Sequence, residues 1–485
     1  MNENRLTILT LTGVMCGVII GVILKNYSNR QWSERDIMYF QFPGEIFLRI
    51  INCLVLPLII SSVVSASCYL SKSGSIGLKA FYYYCTTTSL GIILAVTLVQ
   101  TIKPGEFYVN RNTTVSNHIK KSVTADAFLD LLRNLFTDNL IKASLSQYQT
   151  QITSPLNSTN DENINSWEIH HRDNDGTNVL GIVGFCLVLG IAIGHLEEKG
   201  KPLNDFFKSL SDTVMLMMDW VIIDFLSVDT KIFKIQVSNY YNKFQNLYMI
   251  VPAAVLFLIP GKILEAENIT LMISNLGLYV LVVFAGLFIH SLIVLPLLYF
   301  ICTRKSPYSL LLKTGPAIIT ALGTSSSTAT VPMTIKCLNR IGVNPKVSQF
   351  IAPIGATINM DGIALYETIG ALFIIQQRGL DFSLMQIISI AITCTVSCIG
   401  AAGLPSGGYV MLIVVLESIG IPAEDVTLII TIDCFIDRIR TTVNIVADVL
   451  GAGIIDHFTD KNDLEEELET PGRSLINREY ISTIY

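Results

Sequence analysis

The sequence predicts an all-α polytopic membrane protein, and three observations carry that prediction. Of 485 residues, 51% are apolar and only 15% charged, whereas soluble domains carry about 25% charge. Several apolar runs reach the roughly 20 residues that a helix needs to cross a bilayer. Late in the chain, clusters of small and polar residues interrupt such runs at positions that belong deep in the membrane. Irregular backbone survives there only where protein buries it or it lines a watery cavity. The same composition excludes a disordered chain, which could not be this apolar. The 33 basic and 39 acidic residues give a net charge of −6. The tail from His457 supplies −4 of this, from seven acidic and three basic residues. The nearly neutral remainder offers no basic stripe for nucleic acid.

The apolar runs are Leu6 to Leu24, Glu45 to Leu70, Leu78 to Ile102, Val179 to Leu196 and Leu271 to Cys302. The first lacks the small-residue cleavage site of a signal peptide and is expected to be a retained helix. Residues 103–178 are polar and carry two sequons, Asn112-Thr113-Thr114 and Asn157-Ser158-Thr159. Glycosylation at Asn112 and Asn157 places this loop outside the cell. The N-terminus is then cytoplasmic, and the first three helices run out, in and out. Cations flank the second helix on both sides, so charge counting adds little to that orientation. A further sequon, at Asn268, sits close to the membrane. Within the polar loop, Ala127, Phe128, Leu131, Leu132, Leu135 and Phe136 recur at helical spacing, which predicts an amphipathic helix against the membrane body. All ten cysteines lie in or beside apolar runs. Buried free thiols are expected, not a disulfide framework or zinc site. The six histidines show no ligand spacing.

After Leu310 three clusters break the apolar pattern: Gly323 to Pro332, Asn359-Met360-Asp361-Gly362, and Gly400 to Gly408. Two of them, flanked by apolar arms of about a dozen residues, read as re-entrant hairpins, the sign of an inverted-repeat transporter with a mid-membrane site. A loosely packed bundle with glycine kinks is the competing reading.

The last apolar segment, Thr431 to Asp448, is the most informative. Asp437, Thr441, Asn444 and Asp448 follow spacings of four, three and four. Eleven helical residues return to within about 20° of their start, so the four form one stripe. Arg440 borders it, and Asp433 lies one turn before Asp437. Each charge costs about 2.5–3.5 kcal/mol at a membrane helix centre, so this density needs an internal purpose. The surrounding isoleucines and valines weaken the alternative of a cytosolic amphipathic helix. A carboxylate such as Asp437 suits an ammonium group, and the Arg440 guanidinium can grip a carboxylate bidentately. Together they suggest a zwitterionic substrate with an additional anion. Asn444 and the amides of the serine hairpin suit its α-carboxylate. Asp361, Asp448 and carbonyls freed by unwinding at Asn359 offer all-oxygen sites for a hard monovalent cation. A structural salt bridge between Arg440 and Asp437 is the competing reading, and it leaves Asp361 and Asp448 unexplained. Glu367 is another acid in apolar surroundings. Burial disfavours an ionised carboxyl, so Glu367 is either a proton carrier or the partner of a cation such as Arg438.

These residues resemble the glutamate transporter family, the sodium-coupled excitatory amino acid transporters. The resemblance runs through Phe42-Pro43-Gly44-Glu45, Leu56 to Ser62, Tyr83 to Thr88, Thr124 to Asp130 and the serine hairpin. It continues through Asn359 to Gly362, Ala364 to Glu367, Gly400 to Gly403, Asp437 to Thr442 and Asn444, covering nearly the whole chain except the tail. It implies eight transmembrane helices plus two re-entrant hairpins, inverted repeats, and an elevator-type homotrimer in the plasma membrane with both termini cytoplasmic. Residues 1–77 would hold scaffold helices one and two, 78–102 the transport-domain helix three, and 103–177 the extracellular loop and the start of helix four. Scaffold helices four and five would fill 178–268, the rest of the transport domain 269–456, and an acidic cytoplasmic tail 457–485.

By the same resemblance, Ser327, Asp437, Arg440, Thr441 and Asn444 would hold the substrate, with Leu404 and Gly408 closing over it. Sodium sites would fall at Tyr84, Thr87, Thr88, Asn359 and Asp361; at Gly355, Asn444 and Asp448; and at Thr357, Met360 and the carbonyls of Cys398, Ile399 and Ala401. Glu367 matches the family's proton carrier and Arg440 its acidic branch. Potassium counter-transport and an uncoupled chloride conductance complete the family's properties, with no resident cofactor and no enzymatic step.

Two departures stand out. Ile363 occupies a position where the acidic branch usually has a threonine contacting the substrate carboxylate. Losing that hydrogen bond would cost about 1–3 kcal/mol, which predicts weakened affinity or altered preference. Residues 223–248 lengthen helix five by 26 positions, as a looped-out insertion or a translated intron that transcript sequencing would distinguish. The leading expectation is sodium-driven uptake of L-glutamate or L-aspartate. A neutral amino acid exchanger of the same fold is favoured by Ile363 and opposed by Arg440 and Glu367. A substrate-gated anion channel or a sensor is a third reading. An intramembrane protease is disfavoured, because no serine cluster has a nearby His or Lys base. The terminal Thr483-Ile484-Tyr485 could add as a strand to an adaptor domain.

Overall fold

The computed structural model describes residues 3–27, 32–72, 74–106, 124–153, 168–224, 250–265, 269–380, 382–401 and 407–459. They form a multi-pass helical membrane protein. Four segments are long and apolar enough to cross a bilayer: Glu34–Tyr69, Gly74–Ile102, Thr270–Thr303 and Pro345–Gln377. Shorter apolar helices include Met15–Asn26, Val179–His195, Gly315–Thr324, Leu384–Ile399 and Gly407–Ser418.

The first three helices are α1 (Glu3–Tyr27), α2 (Glu34–Lys72) and α3 (Gly74–Ile102). Helix α2 begins eleven residues before the expected Glu45 and absorbs Pro43 and Pro57 without ending. Ser61 donates its hydroxyl to the Pro57 carbonyl at 2.7 Å, one of the ways a membrane helix re-satisfies backbone around proline. The amphipathic stretch of the polar loop forms α4 (Thr124–Leu135), followed by the short α5 (Leu140–Ala143). Then come α6 (Val179–His195), α7 (Lys201–Asp224) and α8 (Ile250–Glu265). Helices α7 and α8 flank residues 223–248, which lie outside the described residues except for 223 and 224.

Helix α9 (Ile269–Ile289) passes through a π-turn at His290–Val294 into α10 (Leu295–Thr303). Helices α11 (Pro307–Lys313), α12 (Gly315–Thr324) and α13 (Ser327–Arg340) follow. The α12–α13 hairpin turns at Ser325 in the left-handed region (φ 53°), and the Ser326 hydroxyl caps α13 by accepting from the Ala329 amide. Helices α14 (Pro345–Ile358) and α15 (Asp361–Gln377) are two halves of one span, broken at Asn359-Met360. A second helical pair, α16 (Leu384–Gly400) and α17 (Gly407–Ser418), precedes the long α18 (Thr427–Phe458).

Packing sorts these elements into two groups. Helices α1, α2, α6, α7 and α8 lie mainly against one another, whereas α3, α9 and α12 to α18 gather around α15 and α18. Helix α15 is buried along nearly its whole length, from Asp361 to Ile375.

The membrane body is all-α as expected, and the polar loop adds an antiparallel hairpin of β1 (Ser146–Thr153) and β2 (Glu168–Asp175), with Ser146 opposite Asp175. Tyr148, Thr150 and Ile152 alternate with glutamines in β1, the period-2 pattern of a strand. The nine described cysteines are free thiols as expected, but one expectation needs correction: Cys16, Cys53 and Cys85 are exposed and not buried. Apolar side chains on the outer face of a membrane helix meet lipid, so exposure costs a thiol nothing there.

Asn112, Asn157, Asn268 and Leu404, the expected strand Thr483 to Tyr485, and the tail beyond residue 459 lie outside the described residues.

Candidate functional site

Two polar clusters lie inside the helical group around α15 and α18. In the first, the stripe on α18 surrounds Arg440, which is 1% exposed. Its Nη1 donates to Asp433 Oδ1 at 3.2 Å, and its Nη2 donates to Asp437 Oδ1. Its guanidinium carbon lies 4.5 Å from the centroid of the Tyr366 ring on α15, a cation–π geometry. Gly408, at the start of α17, leaves room for this head group, since a Cβ there would stand 2.0 Å from Arg440 Nη1. Thr441 and Asn444 are buried on the same helix. Asn444 Oδ1 accepts from the Gly362 amide at 2.8 Å, tying α18 to the first turn of α15. Ser327 is buried at the N-terminal end of α13.

The second cluster forms where α14 unwinds. Asp361 Oδ1 accepts from Thr88 at 2.7 Å, and Thr87 Oγ1 stands 3.2 Å from it and 3.3 Å from Asn359 Oδ1. Asn359 Nδ2 donates to Asp448 Oδ1 at 3.1 Å. Asp448 Oδ2 and the Tyr84 hydroxyl are buried without hydrogen-bond partners among the described residues. Gly355 packs against the Asp448 carboxylate, with a would-be Cβ 2.2 Å from Oδ1. Carboxylate, amide, hydroxyl and phenol oxygens thus converge with no lysine or arginine paired to them among the described residues. Hard cations favour such oxygen donors.

The remaining expected residues sit nearby. Met360 and Ala401 are fully buried, and Cys398 donates its thiol to the Thr395 carbonyl at 3.1 Å. Thr357 donates to the Ile354 carbonyl at 3.0 Å, and its helix α14 packs on α16, which carries Ile399. Glu367 is fully buried, and neither carboxyl oxygen has a hydrogen-bond partner among the described residues. The structure does not bring it to Arg438, whose guanidinium donates to the carbonyls of Leu322 and Gly323 at the end of α12. From α18, Arg438 thus caps the end of α12. Ile363 is buried and apolar.

Sequence reasoning missed two partners. His290, at the π-turn, is fully buried with Nε2 3.3 Å from Asp361 Oδ2. Its signal was a lone ionisable side chain within a long apolar run, which in a membrane marks a functional position by default. Tyr366, beneath Arg440, was unremarkable in an apolar helix.

The model of the sodium:dicarboxylate symporter family matches residues 6–458. The chain belongs to this family. Like the rest of that family it is a transporter and not an enzyme. This symporter is 40% identical to excitatory amino acid transporter 3 of Mus musculus over 487 residues, covering 96% of the chain and 87% of the relative. It is 38% identical to excitatory amino acid transporter 1 of Ambystoma tigrinum over 511 residues, covering 100% and 88%. Against excitatory amino acid transporter 4 of Mus musculus the identity is 35% over 528 residues, covering 99% and 89%.

Proposed function

We propose that this symporter drives uptake of L-glutamate and L-aspartate with the sodium gradient across the plasma membrane. One observation supports this most: a buried arginine and two aspartates on α18 adjoin an oxygen cluster paired with no lysine or arginine among the described residues. Asp437 would receive the substrate ammonium and Arg440 its side-chain carboxylate. Asn444, Thr441 and the amides around Ser327 would hold the α-carboxylate, and Leu404 and Gly408 would close over it. Sodium would bind at Asp361 with Tyr84, Thr87, Thr88 and Asn359; at Asp448 with Gly355 and Asn444; and at Thr357, Met360 and carbonyls of Cys398, Ile399 and Ala401. Coupling follows if the α16–α17 hairpin closes only over a site holding both ligands, because binding then shifts a pre-existing equilibrium.

The finer reading comprises eight spans with two re-entrant hairpins and inverted repeats. The scaffold of α1, α2 and α6 to α8 would hold a trimer together while the group around α15 and α18 moves as an elevator. Both termini would be cytoplasmic and residues 103–177 extracellular. Glu367 would carry a proton, with potassium counter-transport and a chloride conductance completing the cycle. The adaptor role of Thr483 to Tyr485 remains a proposal of the same kind.

Radiolabelled glutamate uptake with sodium replaced by choline tests the reading. Loss of uptake is expected, and undiminished uptake would sink it. Ile363 favours a second reading, a sodium-dependent neutral amino acid exchanger; faster exchange of L-serine than of L-aspartate would establish that instead.

A further inference from the structure

Between Glu267 and Asp361 the chain carries no acidic residue and six basic ones: Arg304, Lys305, Lys313, Lys336, Arg340 and Lys346. The fold gathers them at one end of the helical group around α15 and α18. Arg304 ends α10, Lys313 ends α11, Arg340 ends α13 and Lys346 lies in the first turn of α14. All but Lys346 are exposed, and those five form no ion pair among the described residues. Lys336 and Arg340 stand four residues apart on α13, a spacing at which like charges repel. This end of the molecule therefore has cations to be met.

Helix α18 finishes beside them. The Asn344 amide, between α13 and α14, donates to Asp456 Oδ1 at 2.9 Å. Gly453 abuts α11, with a would-be Cβ 3.2 Å from Leu310 Cδ2. The Phe458 carbonyl, at the last residue of α18, accepts from Lys79 Nζ at 2.9 Å. Directly beyond, residues 460–469 hold six acids (Asp460, Asp463, Glu465, Glu466, Glu467 and Glu469) against Lys461 alone. Ten extended residues reach up to about 33–36 Å, more than the width of two packed helices, about 20–24 Å. A short tether of this kind presents its charges at an effective concentration of about millimolar.

We infer that the exposed ends of α10, α11 and α13 form a docking surface for residues 460–469 of the same chain. The acids of this segment pair with Arg304, Lys305, Lys313, Lys336 and Arg340. Docking ties the end of α18 to the base of the α12–α13 hairpin. Exposed pairs are individually weak and screened by salt, so the contact forms and releases readily. Anionic lipid headgroups carry the same charge and attract such cations. The tethered segment is favoured over them because α18 delivers it to this end of the molecule.

The test uses the purified full-length chain in detergent with no added lipid. A carbodiimide condenses a carboxylate with an adjacent amine, taking up the water released, and peptide mass spectrometry locates the new amide. Cross-links from residues 460–469 to Lys305, Lys313 or Lys336 are expected. Raising NaCl to about 1 M should cut their yield about fivefold. A second readout is the rate at which an activated ester acylates the same three lysines. Replacing the six acids by their amides is expected to speed that reaction about fivefold. Equal rates in the two proteins overturn the inference, as do cross-links from the segment that reach only lysines elsewhere. Protection that appears only when phosphatidylserine is added, and that persists in the amide variant, gives the patch to lipid and overturns it too. Neither readout involves uptake, so failure here leaves the proposed function untouched.

Discussion

The two buried clusters solve the cost of intramembrane charge in opposite ways. Around Arg440, charge is met by charge: one guanidinium serves Asp433 and Asp437 and stacks on Tyr366. Around Asp361 and Asp448, the described polar neighbours are hydroxyls, an amide and one histidine, and Asp448 Oδ2 is left without a partner. Removing one member of a buried ion pair costs about 3–5 kcal/mol, because an uncompensated charge stays behind. The first cluster can therefore release its arginine only to another anion, whereas the second, which pairs with no lysine or arginine among the described residues, suits a cation from outside. On the proposed reading, an anion-bearing ligand and a cation would bind at different places for different electrostatic reasons, as co-transport requires.

Substitutions that erase one side of this contrast have the largest expected effect. Arg440→Cys leaves Asp433 and Asp437 unpaired and removes the carboxylate grip. Acidic amino acid uptake is expected to fall by at least about a hundredfold, the equivalent of roughly 3 kcal/mol. Retained glutamate uptake in that variant would show that Arg440 is only structural. Asp361→Asn keeps the size of the side chain and removes its charge. A hydrogen bond or contact to a charged group is worth about 1.5–3 kcal/mol, so the half-saturating sodium concentration should rise tenfold or more. An unchanged sodium dependence would place the cation elsewhere.

Gly355→Ala probes the same cluster sterically. Its methyl group would collide with the Asp448 carboxylate, and forced repacking costs about 1–3 kcal/mol. A lower melting temperature and weaker sodium stabilisation are expected together; a loss of the first alone would separate packing from cation binding. The smallest effect belongs to Ile363→Thr, a substitution at the edge of the arginine cluster. It should lower the half-saturating glutamate concentration about fivefold or more, as one added hydrogen bond would. Unchanged uptake constants would remove the idea that Ile363 weakens acidic ligands.

Much of this contrast was legible in the sequence, for a physical reason. Charges on α18 stand out because the residues around them are isoleucine and valine, and helical periodicity places Asp437, Asn444 and Asp448 on one stripe. The pairing of Arg440 with Asp433 was equally available, since seven residues fall about 20° short of two full turns. Contacts between distant segments were not available. His290 meets Asp361 across 71 positions, and the Tyr366 ring reaches Arg440 only because α15 packs on α18. The β-hairpin escaped notice because its strands are short and polar, with residues 154–167 between them. Helix α7 ends at Asp224, two residues into the stretch 223–248, and α8 begins at Ile250.

The most direct test of coupling is tracer L-aspartate uptake by the purified full-length chain in liposomes, with no gradient other than sodium. Inward sodium should drive L-aspartate above its external concentration, and collapsing the gradient should release it. Accumulation that persists with equal sodium on both sides, or equilibration that never exceeds the external concentration, would contradict the account.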